Sequence, residues 1–97
     1  MRRPADTSGL ESIPGVGPSI ARDLQQLGVR RVEDLRGRDP AQLYDELESI
    51  SGAHVDRCVL YVFRCAVHYA GTADPDGELA KWWSWKDGGL AQELGLI

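Results

Sequence analysis

The residues best placed to do chemistry lie in one short run, Ile13-Pro14-Gly15-Val16-Gly17-Pro18, followed by Ser19, Ile20 and Arg22. Two glycines separated by one residue, just ahead of a proline-initiated helix, remove the side chains that would keep a ligand away from the backbone of the turn. The first amides of a helix have no intrahelical partner, and the aligned peptide dipoles add partial positive charge there. The chemistry this suits is anion binding, a phosphate in particular. The same spacing also suits a tight turn that lets two helices pack closely and binds nothing.

Other reactive types are present in looser arrangements. Arg57, Tyr61, Arg64 and His68 are spaced four, three and four apart, a polar strip along one helix that reads either as a solvated face with local ion pairs or as an extension of a phosphate track. His54, Cys58, Cys65 and His68 invite a zinc reading. However, the two His/Cys pairs lie about two turns apart on one straight helix, and zinc bonds are only about 2.0–2.3 Å long. A metal or redox role at Cys58 and Cys65 is therefore the remotest reading, and boundary cysteines the favoured one. Those thiols sit about 10 Å apart along the helix axis, beyond the roughly 7 Å that a disulfide tolerates. Trp82, Trp83 and Trp85, flanked by Lys81 and Lys86, can clasp a core or stack on bases. As an α-helix, Leu79, Trp82 and Trp83 share a face toward the core, which leaves Trp85 as the indole expected to be exposed.

The elements that must position these groups are short. Ninety-seven residues with 42% apolar and 27% charged residues make one small domain with one core. Ser8 and Glu11 match a capping box for a helix near residues 9–13. Pro18 starts a helix to Leu27, with Ile20, Ala21, Leu24 and Leu27 on one face, and Gly28 closes it as a left-handed cap. A helical turn is expected at Val32–Leu35. Asp39 and Pro40 open a helix to Ile50 whose buried stripe is Leu43, Tyr44, Leu47 and Ile50, and Gly52 closes that one. The longest periodic stretch, Val55–Tyr69, is apolar around most of its circumference and should be the central helix. Asp74-Pro75 opens a last helix to Lys86. The division expected is a flexible N-terminus at 1–7, a domain at 8–87 and a tail at 88–97.

An internal repeat organises this list. Leu10-Glu11-Ser12-Ile13-Pro14-Gly15 and Leu47-Glu48-Ser49-Ile50-Ser51-Gly52 match at an offset of 37 residues, and a helix follows each. The second copy has Ser51 for proline and places His54 where the second glycine belongs, a bulky ring at the point of closest backbone approach.

Charge bounds the function. The net charge is -4, but residues 1–38 hold seven arginines against five acidic residues, net +2, whereas residues 39–97 hold four basic against ten acidic residues, net -6. Strong nonspecific attraction to nucleic acid is not expected from this balance; only the hairpin half is basic. No apolar run reaches the roughly 20 residues of a membrane span and no signal-peptide core follows Met1, so a cytoplasmic location is expected. Both lysines, Lys81 and Lys86, are far from the hairpin in sequence, no nucleophile has an obvious base partner, and no phosphate-loop motif is present. A non-enzymatic protein is the expectation.

The pattern Leu10-x-x-Ile13-x-Gly15-Val16-Gly17-x-x-x-Ala21 resembles the helix-hairpin-helix motif of DNA-repair and recombination proteins. The runs HVDRCVLYVFRCAVHY at His54–Tyr69 and LAKWWSWKD at Leu79–Asp87 resemble, more narrowly, the small bacterial helix-hairpin-helix proteins of the pathogenicity-locus family, over residues 9–87. The resemblance implies an all-α, SAM-domain-like bundle of about five helices built from tandem helix-hairpin-helix units, the second degenerate. It implies phosphate contacts at Gly15, Val16, Gly17, Ser19, Ile20 and Arg22; the polar strip and the indole expected to be exposed add Arg57, Arg64 and Trp85 as candidate secondary contacts. Hairpin carbonyls near Ile13 and Val16 would be able to hold a monovalent cation, with no cofactor required. The partner implied is DNA, bound weakly and without sequence preference, since phosphate contacts position a protein without reading bases. The competing expectation is a protein-interaction module that ignores DNA.

Overall fold

Helix α4, Arg57–Gly71, is the element on which the rest is laid. Its Asp56 carboxylate accepts the Cys58 amide at 2.9 Å, capping the first turn, and Leu60, Val62, Phe63, Cys65, Ala66 and Ala70 are all buried. A helix apolar over so wide an arc must be covered on several sides. Helix α3 (Pro40–Ser51), the 3-10 turn at Val32–Leu35 and the 3-10 turn at Trp82–Trp85 supply that cover.

The computed structural model describes residues 8–72 and 77–96. Among them the regular structure is all-helical: α1 (Ser8–Glu11), α2 (Pro18–Gln26), α3 (Pro40–Ser51), α4 and α5 (Leu90–Glu93), with 3-10 turns at Val32–Leu35, Gly77–Ala80 and Trp82–Trp85. The radius of gyration, 13.1 Å, is that of a compact chain near 100 residues, about 13 Å. No helix among the described residues is long and apolar enough to cross a membrane.

The local signals act where the sequence puts them. Asp39 accepts the Ala41 amide at 3.0 Å and starts α3 at Pro40. Gly28, at φ +89, and Gly52, at φ +70, end α2 and α3 in the left-handed region that L side chains avoid. The Val32–Leu35 turn is tied back by Asp34, whose carboxylate accepts the Arg30 and Arg31 amides at 3.0 and 3.1 Å; these bonds hold its pKa below the ordinary value. Leu10, Ile13, Ala21, Leu24, Val29, Leu35, Leu43 and Phe63 form the centre of one continuous core. The flexible start expected at 1–7 and the Asp74-Pro75 cap lie outside the described residues, as does the Ser8 side chain of the proposed capping box.

Three expectations are corrected. Ile50, in the last turn of α3, is 55% exposed, and the helix buries Leu43, Tyr44 and Leu47 without it. The last helix expected to run to Lys86 is two 3-10 turns, broken at Lys81, whose backbone is extended at φ -96, ψ 126. Finally, the indoles change places. Trp85 is 3% exposed and Trp83 51%, since in a 3-10 turn residues i and i+3 eclipse one another and Trp82 and Trp85 share the inner face. Trp85 donates its indole N–H to the Leu79 carbonyl at 3.0 Å and packs with Cys65 and Ala91 in a second, smaller core that docks α5.

Candidate nucleic-acid interface

The turn between α1 and α2 is anchored from within. Ile13, 1% exposed, and Val16 plug into the core, and between them the Val16 amide donates to the Ile13 carbonyl at 3.0 Å. Gly15, at the corner, has φ +86, and a Cβ there would stand 2.9 Å from Cδ1 of Trp82. Its lack of a side chain is thus required twice by the fold itself.

Gly17 differs. Its φ of -95 and ψ of -174 are extended backbone that any residue adopts, and a Cβ there meets nothing within 4 Å. As the residue capping α2 it offers no side-chain acceptor, and the first turn of α2 carries no acidic group. Helix geometry leaves the Ser19 and Ile20 amides without an intrahelical carbonyl, Pro18 has no amide to satisfy, and the Gly17 amide makes no hydrogen bond among the described residues. Three outward donors therefore stand where the macrodipole is positive and no side chain intervenes. Ser19 and Arg22 are exposed beside them; the Ile20 side chain packs against the core. The Val16 amide, engaged by Ile13, is not among the outward donors. The Ile13 carbonyl keeps a second lone pair, and a carbonyl is the donor type a monovalent cation takes.

The second turn shares a positive-φ glycine with the first but runs two residues longer, from Gly52 to the Asp56 cap of α4 where the first runs from Gly15 to the Gly17 cap of α2. Gly52 matches Gly15 in sign of φ, but His54 stands at the position of Gly17, with its Nδ1 3.1 Å from the Glu48 carboxylate. The same carboxylate accepts the Val55 amide at 3.0 Å, and the Tyr44 hydroxyl donates to the Val55 carbonyl. The Asp56 carboxylate, its pKa lowered by the Cys58 amide, takes the next donor. Two of the chain's own carboxylates thus accept the Val55 and Cys58 amides at the start of α4. The cleft beside this turn, about 420 Å³, is lined by Tyr44, Asp45, Glu48, His54, Arg57 and Arg64 among others, with mixed charge.

The arginine strip is a clamp. Arg57 donates to Asp87 Oδ2 from Nε at 2.9 Å, with Nη2 at 2.8 Å; Arg64 Nη1 donates to Asp87 Oδ1 at 2.9 Å and to the Trp85 carbonyl at 3.0 Å. Tyr61 adds a hydroxyl contact to Asp87 at 3.4 Å. The bonds from Arg64 and Arg57 hold the Asp87 carboxyl below the ordinary aspartate range. The candidate contacts Arg57, Arg64 and Trp85 are thereby spent on pinning the C-terminal segment to α4. His68, the fourth member of the strip, packs against Trp85 with ring centroids 4.8 Å apart and the planes tilted by 43°.

Cys58 is exposed and Cys65 buried, where desolvation pushes its thiol up to about 11. Among the described residues no group of three or more His, Cys, Asp or Glu side chains is arranged to hold a metal ion. Sequence reasoning turned Trp82 toward the core but missed its contact with the hairpin. The indole backs Gly15, and the signal for it was the i, i+3 spacing of Trp82 and Trp85.

Comparison with known proteins matches the sequence to one family. The family model Cdd1, described as pathogenicity locus, matches residues 3–89. The chain is 35% identical over 66 residues to the mitomycin resistance protein McrB of Streptomyces lavendulae, an alignment that covers 68% of this chain. It spans 63% of the length of that curated relative. No solved structure gives a significant match.

Proposed function

The chain belongs to the pathogenicity-locus family, and from that premise we propose that it is a non-enzymatic, helix-hairpin-helix DNA-binding protein that grips backbone phosphate at the turn between α1 and α2. The observation that carries this reading is Gly17. The fold gives Gly15 two reasons to be glycine and gives Gly17 none, while an anion approaching the Gly17, Ser19 and Ile20 amides needs that side chain gone. Arg22, exposed one turn along α2, adds a cation on the same side of the sequence, in the half of the chain with net +2.

Binding is weak and indifferent to sequence. One hairpin engages phosphate because the Glu48 and Asp56 carboxylates close the other, and the surplus of acid beyond residue 38 opposes long-range attraction. With roughly two or three phosphates neutralised, the slope of log affinity against log salt is about -2 to -3. Fluorescence anisotropy with labelled duplex DNA across a salt series tests this, and absence of binding at low salt defeats it. The resistance named for the Streptomyces relative supplies a cellular readout for the same proposal: the wild-type chain, and not its Gly17→Asp variant, raises the mitomycin tolerance of a sensitive host.

A second reading, a protein-interaction module, draws on the exposed Ile50, Leu94 and Leu96. It takes over if the protein ignores DNA at low salt and captures a partner through those residues.

A further inference from the structure

The segment after α4 is fastened on both sides of one residue that it leaves outside. Trp82 lies against Gly15, Trp85 is sunk beside Cys65, and Asp87 is gripped by Arg57 and Arg64. Between them Trp83 is 51% exposed. Its ring stands edge-on to Trp82 with centroids 5.9 Å apart, and Lys81 Nζ lies 5.8 Å from its centroid.

Nothing in the packing accounts for an indole at this position. A large aromatic surface half in water is costly where a polar residue would serve, and Trp83 fills no gap in either core. Its backbone is already held by the packing of half-buried Trp82 and buried Trp85 on either side, so a partner that stacks on it loses little further freedom. Its location narrows the partner. Trp82 is the back wall of the Gly15 turn, which puts the Trp83 ring one indole away from the hairpin, with an ammonium group beside it.

We propose that Trp83, with Lys81 at its side, is a stacking platform for an unpaired base of the DNA whose phosphate sits on the Gly17 hairpin. The protein then favours DNA with a single-stranded segment over blunt duplex. This inference rests on the hairpin reading above and adds the form of DNA preferred. A base inside a duplex has both faces covered by its neighbours; only an unpaired base has a face to offer an indole, and such stacking tolerates any sequence. The closed second hairpin favours the same choice, since a single phosphate grip does not require a second strand.

The test uses the full chain with three labelled DNAs: a blunt duplex, the same duplex carrying an oligothymidine tail, and the free single strand. Wild type is expected to bind the tailed duplex more tightly than the blunt one. Trp83→Ala is expected to erase that preference, a loss of roughly five- to hundredfold on tailed DNA from one lost base stack, while binding to blunt duplex stays unchanged. Trp83→Phe retains most of the preference, because the ring face survives. Tailed DNA quenches tryptophan emission in wild type and not in Trp83→Ala. Equal affinity of wild type for blunt and tailed DNA overturns the inference, as does an equal loss on both DNAs in Trp83→Ala. If Gly17→Asp abolishes binding while Trp83→Ala matches wild type on tailed DNA, the platform fails and the hairpin stands. If wild type binds none of the three, both fall.

Discussion

The two glycines of the α1–α2 turn are expected to respond oppositely to substitution, and the difference can be worked from their surroundings. Replacing Gly15 by alanine holds an L residue at φ +86, which costs about 1–2 kcal/mol, and sets a Cβ 2.9 Å from Cδ1 and 3.2 Å from Cβ of Trp82. The indole cannot retreat freely, because Trp85 and Asp87 fix the segment that carries it. A total near 2 kcal/mol follows, and at about 4–8 °C per kcal/mol for a domain of this size the melting temperature falls by roughly 10 °C. Gly17→Asp meets no steric obstacle and adds a capping acceptor and a negative charge at a helix start, worth a few tenths to about 1 kcal/mol of added stability. Urea titration of both variants beside wild type measures the contrast. In a double-mutant cycle with Trp82→Ala, the part of the Gly15→Ala cost that comes from the indole should disappear and the backbone part remain. A Gly15→Ala protein as stable as wild type, or a Gly17→Asp protein clearly less stable, would refute the assignment of these two glycines to different tasks.

Other expectations follow from single contacts. Because the Asp87 carboxyl is held below its ordinary value of 3.8, its contribution to stability is whole above that pH and is lost as the pH falls through the depressed folded value; the stability gap between wild type and Asp87→Asn should therefore close below about pH 4, as followed by urea unfolding. In maleimide labelling of the native protein, exposed Cys58 should react well ahead of Cys65, which is buried and carries a thiol raised to about 11; equal rates would show that the Trp85 core opens readily. Glu48→Ala removes the acceptor of the Val55 amide and the partner of His54, and is expected to cost about 1 kcal/mol while raising affinity for DNA modestly, seen by parallel unfolding and anisotropy measurements.

Much of this architecture is written locally and so was readable from the chain. The left-handed turns at Gly28 and Gly52, the Asp39 cap, and the nearly all-apolar helix α4 depend on residues within one or two turns of each other. The offset of 37 residues leaves one trace in the backbone, Gly15 and Gly52 both at positive φ, but the helices that follow start at Pro18 and Arg57, 39 residues apart. It fails in the packing, where Ile13 is buried and its counterpart Ile50 is not. What was not readable is long-range or depends on a change of helical period. The Asp87 clamp joins residues 23 and 30 positions apart, and no local pattern announces it. The indoles were misassigned because α-helical spacing groups Trp82 with Trp83, whereas the 3-10 spacing adopted groups Trp82 with Trp85. At the candidate site, the sequence marked both glycines alike. The positive φ of Gly15 and the position of Trp82 separate a glycine needed by the fold from one with open space at its Cβ.

The central claim is tested most directly by DNA binding of wild type and Gly17→Asp, measured by anisotropy over a salt series with both proteins shown to be folded. Wild type should bind with a log–log salt slope of about -2 to -3, and Gly17→Asp, equally or more stable, should lose that binding, because its carboxylate takes the amides and repels the phosphate. Undiminished binding by a folded Gly17→Asp protein would contradict the account.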